Sequence, residues 1–185
     1  MPRPRLSVVV MGVSGTGKSS VAAGLAQRLG VPWIDGDDLH APDAVARMRA
    51  GQPLADADRW PWLDRIGACL VDATAAPHGV VVACSALRRA YRDRLRAASP
   101  DPRCLQFVFL DGPPALIRQR MAQRSGHYMP PALLESQLQT LEAPDASEAD
   151  VLHARIDTPV ARIVAEVGAQ LLQRTASAPA TKVSA

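Results

Sequence analysis

The chain predicts an α/β protein, a parallel sheet with helices on both faces. Three observations carry this. Short apolar runs alternate with helical spacing along nearly all of the 185 residues, the pattern of strands joined by crossover helices. A complete G-x-x-x-x-G-K-[ST] sequence, GVSGTGKS from Gly12 to Ser19, stands between the first apolar run and the first helical stretch, the order in which such a loop binds phosphate. Carboxylates, arginines and histidines gather just after the strand candidates, where open parallel sheets take their ligands.

Residues 6–11 are a continuous apolar run, the signature of a strand buried on both faces. Residues 19–29 follow with Val21, Ala22, Leu25, Ala26 and Leu29 at helical spacing. The other strand candidates are 33–35, 80–84, 104–110 and 155–157, separated by helical patterns. A helix is expected over 63–76, after Asp58-Arg59-Trp60-Pro61-Trp62. A very basic helix opens at Arg88 and carries Arg89, Arg92, Arg94 and Arg96; most of this run reads as a solvated face, with only Arg88 close to a strand end. Two stretches interrupt the alternation, 36–62 and 125–131, both rich in charge, proline or histidine. The length suits a single domain over residues 1–175, and the small, polar residues 176–185 read as a disordered tail.

Composition excludes several classes of function. A net charge of +3 and a pI near 9.1 suit anionic small molecules but fall short of a nucleic-acid footprint. Only 4% of residues are aromatic, too few for base-stacking platforms. No apolar stretch is long enough to span a bilayer and the N-terminus lacks a signal peptide's length and cleavage site, so a cytoplasmic location without a membrane partner is expected. Cys69, Cys84 and Cys104 are odd in number and set among apolar residues, as reduced packing cysteines would be.

The phosphate loop is informative because nearly every cation in this chain is an arginine. Only two lysines, Lys18 and Lys182, stand against nineteen arginines, so a compact ammonium is retained where a planar guanidinium would not fit between phosphates. Gly12, Gly15 and Gly17 allow the tight turn through Val13, Ser14 and Thr16 in which successive N–H groups point at phosphate oxygens. The helix N-terminus behind them adds partial positive charge. Lys18 then reaches the β- and γ-phosphates, and the Ser19 hydroxyl ligates magnesium.

After the second strand candidate comes Asp35-Gly36-Asp37-Asp38-Leu39-His40. Three carboxylates together repel one another, a cost that a purely structural turn has little reason to bear. Asp37 fits a base that binds the substrate hydroxyl, and Asp35 a helper near the metal, acting through water; Asp38 fits equally an Asx turn capping the next helix. Arg59 can grip both oxygens of a substrate carboxylate, and Arg88 is a second candidate for the same side. Arg120 and Arg124, four apart on an expected helix, share a face, a pairing that is unfavourable unless anions lie opposite. They fit a mobile flap over ATP, with Gly126 and Pro130-Pro131 as its punctuation.

These residues carry a family resemblance. GVSGTGKS, Asp35 to His40, Arg47-Met48, Gly51-Gln52-Pro53-Leu54, Asp56, Asp58-Arg59 and Pro61-Trp62-Leu63 together resemble bacterial gluconokinases of the shikimate-kinase-like group. So do Cys84-Ser85-Ala86-Leu87, Tyr91-Arg92-Asp93, Leu95-Arg96, Arg124, Gly126-His127, Thr140-Leu141-Glu142 and Pro144, and the match extends over about residues 6–167. The resemblance implies ATP-dependent, magnesium-assisted phosphorylation of the D-gluconate 6-hydroxyl, a homodimer, strand order 2-3-1-4-5, and a closing lid around 120–131. Carried onto matching positions, Lys18 and Ser19 serve ATP and metal, Asp37 the hydroxyl, His40, Arg59 and His127 the gluconate, Arg120 and Arg124 the phosphates, and Thr158-Pro159 the adenine. The chain departs from the family where a His-Pro pair, an asparagine and a Lys-Met pair are usual; here stand His40-Ala41, Ala44 and Arg47-Met48.

Other readings stay open at this level. A kinase for another small hydroxy acid shares the logic, although a shikimate kinase should show a glycine-rich turn in place of Cys84-Ser85-Ala86-Leu87. A nucleoside monophosphate kinase prefers aromatic or amide readers of a base. A guanine-dependent switch would carry Asn-Lys-x-Asp, which is absent, and a regulatory ATP-binding module would not need Asp37 or the lid arginines.

Overall fold

Five parallel strands form one sheet in the order β2-β3-β1-β4-β5: β1 is Ser7–Met11, β2 Trp33–Asp35, β3 Val81–Ala83, β4 Leu105–Asp111 and β5 Val151–Arg155. The strand order is the one expected. The structure, a computed structural model, describes residues 6–71, 79–99, 101–123 and 130–177. Seven helices among them connect and cover the sheet: α1 Lys18–Leu29, α2 Pro42–Arg49, α3 Asp56–Val71, α4 Arg89–Ala98, α5 Pro114–Gln123, α6 Pro131–Thr140 and α7 Val160–Ser177.

The continuous apolar run of β1 is buried at all five positions because both faces are covered. Side chains alternate across a strand, so the run divides between two cores. Val8 and Val10 pack with Val21, Leu25, Ile163, Val167 and Leu171 of α1 and α7. Val9 and Met11 pack with Trp62, Leu63, Ile66, Tyr91 and Leu95 of α3 and α4. The sheet is thereby fixed on both sides, and the segments leaving its carboxyl edge start from rigid ground.

Three boundaries differ from expectation. The last strand lies at Val151–Arg155 instead of 155–157. It pairs with β4 from Phe107↔Val151 to Asp111↔Arg155, and its exposed His153 and Arg155 alternate with buried neighbours, which disguised an edge strand as a loop. The helix expected over 63–76 begins at Asp56. Asp58 starts it early by accepting from the Ala55 backbone N–H at 2.9 Å, and Pro61 sits in the second turn, where it removes one ladder hydrogen bond. At the far end α7 continues through Ser177, past the expected tail boundary.

The basic run on α4 differs from expectation in its burial. Arg92 is 1% exposed and bonded to Glu148, and Arg96 is bonded to Asp93, Glu148 and Asp150. Two of the arginines read as solvated are therefore structural, because carboxylates 56 and 54 residues further along fold onto them.

Candidate active site

The phosphate loop runs from the end of β1 into α1. Gly12 has φ +143° and lies so close to β4 that a Cβ there would stand 2.9 Å from the Leu110 carbonyl oxygen; its N–H donates to the Ser85 carbonyl at 3.3 Å. Gly15 has φ +84°, and a Cβ would meet Met121 of α5 at 2.8 Å. At both positions the left-handed backbone and the close neighbour require glycine. The Thr16 hydroxyl and Lys18 Nζ both donate to the Val13 carbonyl, at 2.8 and 3.1 Å, which closes the turn. No side chain caps α1, so its N-terminus presents backbone N–H groups in the manner of an anion site. The Ser14 N–H is an exception. It donates to Gln137 Oε1 of α6 at 2.7 Å.

Beside this loop, Asp35 ends β2 and accepts from the Ser19 hydroxyl at 2.8 Å. Its other oxygen accepts from the Asp37 backbone N–H at 3.1 Å and so caps the short 3-10 turn Gly36–Leu39. The turn-capping role open to Asp38 thus belongs to Asp35, while Asp38 is exposed. Asp37 projects a side chain that is 77% exposed, with one carboxylate oxygen 4.0 Å from His40 Nε2. The His40 ring stacks on Trp62 with centroids 4.3 Å apart, and Trp62 is itself anchored by a 2.6 Å bond from its indole N–H to the Gly36 carbonyl. Burial holds the His40 pKa below the usual histidine value, against the pull of Asp37, and its Nδ1 is a buried polar atom without a partner. Below them, burial pushes the Cys84 thiol up to about 12, and the thiol also feels the charges of Asp37, Lys18 and Asp35.

A second cluster forms where α3 and α4 begin. Asp56 accepts from the Tyr91 hydroxyl at 2.5 Å and from Arg88 Nη1 at 2.8 Å. Arg59 Nη1 donates to the Tyr91 hydroxyl at 2.9 Å and stands 3.8 Å from Asp56. Burial, followed by the bond to Asp56, raises the Tyr91 pKa. Two guanidinium groups therefore share one carboxylate, leaving net positive charge. Asp58 takes both ends of Arg47, at 3.0 and 2.8 Å.

On the other side, Arg120 of α5 donates to the Ile156 carbonyl, just before Thr158-Pro159. The Thr158 N–H donates to the Arg155 carbonyl at 3.2 Å, and the Pro159 carbonyl accepts from Arg162 and Ile163 to open α7. Arg124 and His127 lie outside the described residues, as does half of the expected lid. Gln137 was missed by sequence reading, since nothing local marks a glutamine on α6 as a neighbour of the loop. Asp56 and Tyr91 stood only as parts of a family motif.

Among the described residues no group of three or more histidine, cysteine or acidic side chains forms a metal cage. The fit is instead to a magnesium ion shared with phosphate oxygens and water, the habitual state of that cation at a nucleotide. Ser19 Oγ and Asp35, bonded at the mouth of the loop, are the oxygen donors placed for it.

A phosphate loop after the central strand β1, with an acidic turn after the edge strand β2 and Arg88 following β3, which lies between them, defines a phosphate-binding-loop kinase. A family model described as an AAA domain matches residues 8–144. The chain is 49% identical over 146 residues to the gluconokinase of Gluconobacter oxydans, covering 79% of this chain and 80% of that protein. It is 40% identical over 157 residues to the thermosensitive gluconokinase of Escherichia coli, covering 85% and 82%. The solved gluconokinase structure from Sinorhizobium meliloti superposes with a TM-score of 0.83 at 46% identity, over 94% of this chain and 95% of that one. The chain belongs to the gluconokinase family.

Proposed function

We propose that this protein transfers the γ-phosphoryl group of ATP to the 6-hydroxyl of D-gluconate, giving 6-phospho-D-gluconate and ADP. The observation that carries the reading is the convergence of the loop at Lys18, the exposed carboxylate of Asp37 and the arginine pair Arg59 and Arg88 at one edge of the sheet. The loop N–H groups and Lys18 hold the phosphates. Ser19, with Asp35 through water, holds magnesium, which when bound neutralises charge on the β- and γ-oxygens. Asp37 accepts the proton of the 6-hydroxyl as its oxygen bonds to the γ-phosphorus. The bond from that phosphorus to the bridging oxygen breaks, and the electron pair leaves with ADP.

On the acceptor side, Arg59 and Arg88 read the substrate carboxylate and His40 and His127 its hydroxyls. Burial lowers the His40 pKa, which favours the neutral imidazole as the group offered to the substrate. Arg120 and Arg124 screen the phosphates from a lid over about 120–131, and Thr158-Pro159 border the adenine. By family resemblance the enzyme works as a cytoplasmic homodimer in carbohydrate catabolism; no helix among the described residues is long and apolar enough to cross a membrane.

The test is coupled ADP release with magnesium-ATP against D-gluconate, other sugar acids, shikimate and nucleoside monophosphates. Turnover confined to gluconate is expected. Turnover with a different acceptor alone would overturn the substrate and move specificity to the segment 41–47, where Ala44 is buried in α2.

A further inference from the structure

Arg92 and Glu148 form a buried ion pair to which the proposed reaction gives no part. Arg92 is 1% exposed, and its Nε and Nη2 meet the two Glu148 oxygens at 2.7 and 2.5 Å. The third nitrogen, Nη1, faces three backbone carbonyls: Ala86 at 3.2 Å, Leu87 at 3.3 Å and Glu142 at 3.1 Å. A pair serving only the fold could be replaced by apolar side chains of similar volume. Here such a replacement would remove the donor from three carbonyls at once.

Two of the carbonyls, those of Ala86 and Leu87, belong to a strained segment. Ala86 is the one non-glycine residue at positive φ among the described residues, at +42°, and it is fully buried. A side-chain-bearing residue holds that conformation only where its surroundings over-determine it. Immediately before it, the Ser85 carbonyl accepts from Gly12 of the phosphate loop. Two residues after it, Arg88 enters the cluster with Asp56, which also binds Tyr91. The opposite wall is the stretch after α6: the Glu142 N–H donates to the Leu87 carbonyl at 2.9 Å, and a Glu142 carboxylate oxygen accepts from the Arg89 N–H at 2.7 Å.

We propose that Arg92, oriented by Glu148, is a positioning residue for the acceptor site: it fixes the path of residues 85–88 and thereby sets Arg88 against the substrate carboxylate while Ser85 stays joined to the phosphate loop. The proposal rests on the acceptor assignment made above. It is tested with Arg92→Met/Glu148→Leu, which removes both charges together, and with Arg92→Lys, which keeps a charge opposite Glu148 but offers a point ammonium that cannot span the carboxylate and three carbonyls.

In both variants the acceptor KM should rise on the order of tenfold while the KM for ATP stays within about twofold. Amide exchange at 86–88 should quicken relative to α1. Equal rises in both KM values, or an unchanged acceptor KM with unchanged exchange at 86–88, would overturn the proposal and leave the pair a fold element only. Wild-type inactivity toward gluconate would instead sink the substrate reading; the exchange measurement, which needs no acceptor, would still decide the role of Arg92.

Discussion

Asp37 and Asp35 are two residues apart and chemically identical, yet their surroundings divide the work. Asp35 spends both oxygens on neighbours, the Ser19 hydroxyl and the Asp37 N–H, so it is held still beside the loop. Asp37 keeps an exposed carboxylate, with His40 Nε2 at 4.0 Å from one oxygen. The proposed roles ask for a base free to take a proton and a metal helper that is fixed, and the two aspartates differ in that respect. Asp37→Asn should therefore lower turnover by on the order of a hundredfold or more and leave ATP affinity, measured by equilibrium titration, nearly unchanged. Turnover equal to that of the wild type would remove Asp37 from the role. His40 shows a related division: Trp62 supports one ring face while Nδ1 is left without a protein partner.

At the scale of elements, α4 is the helix whose sequence misleads most. Its arginines look like a solvated stripe, but only part of the stripe faces water. Arg94 pairs with Asp64 of α3 at the surface, a contact worth little to stability. Arg92 and Arg96 clamp Glu148, whose carboxyl is pulled by the Arg92 hydrogen bonds from 4.5 to about 2 despite its burial. The folded state thus binds its proton less readily than the unfolded chain, and the linkage has a definite sign. The stabilisation is complete above pH 4.5 and is lost as the pH falls toward about 2. Thermal melts of the wild type should decline across that window more steeply than those of Arg92→Met/Glu148→Leu. Parallel curves for the two proteins would show that the pair adds no acid-sensitive stability.

For the whole molecule, the sheet with its two cores carries the described site segments that leave its carboxyl edge, and binding at that edge should be felt by the entire fold. Magnesium-ATP at a hundred times its dissociation constant should stabilise the protein by about 2.7 kcal/mol, read as a rise in Tm. Lys18→Arg should lose most of that rise although it keeps the charge, because a planar fork does not fit where Nζ reaches the Val13 carbonyl inside the loop. A rise equal to that of the wild type would contradict the inference drawn from the scarcity of lysine.

What was legible in the chain, and what was not, follows from distance along it. GVSGTGKS, the strand Ser7–Met11 and the acidic turn after Asp35 are contiguous, and their backbone geometry is set by neighbouring residues: glycines at special φ, an apolar run, a carboxylate capping two residues on. Sequence by itself therefore determined the phosphate loop, the parallel α/β class and the position of Asp37. The edge strand Val151–Arg155 escaped because its signal is its register against β4. The Ser14 to Gln137 bond spans 123 positions, the Arg92 to Glu148 pair 56, and the Arg88 to Asp56 contact 32. Only the tertiary structure decided these, since which arginine is buried and which glutamine meets the loop depend on how helices pack across the sheet, and no local pattern of residue types encodes that packing.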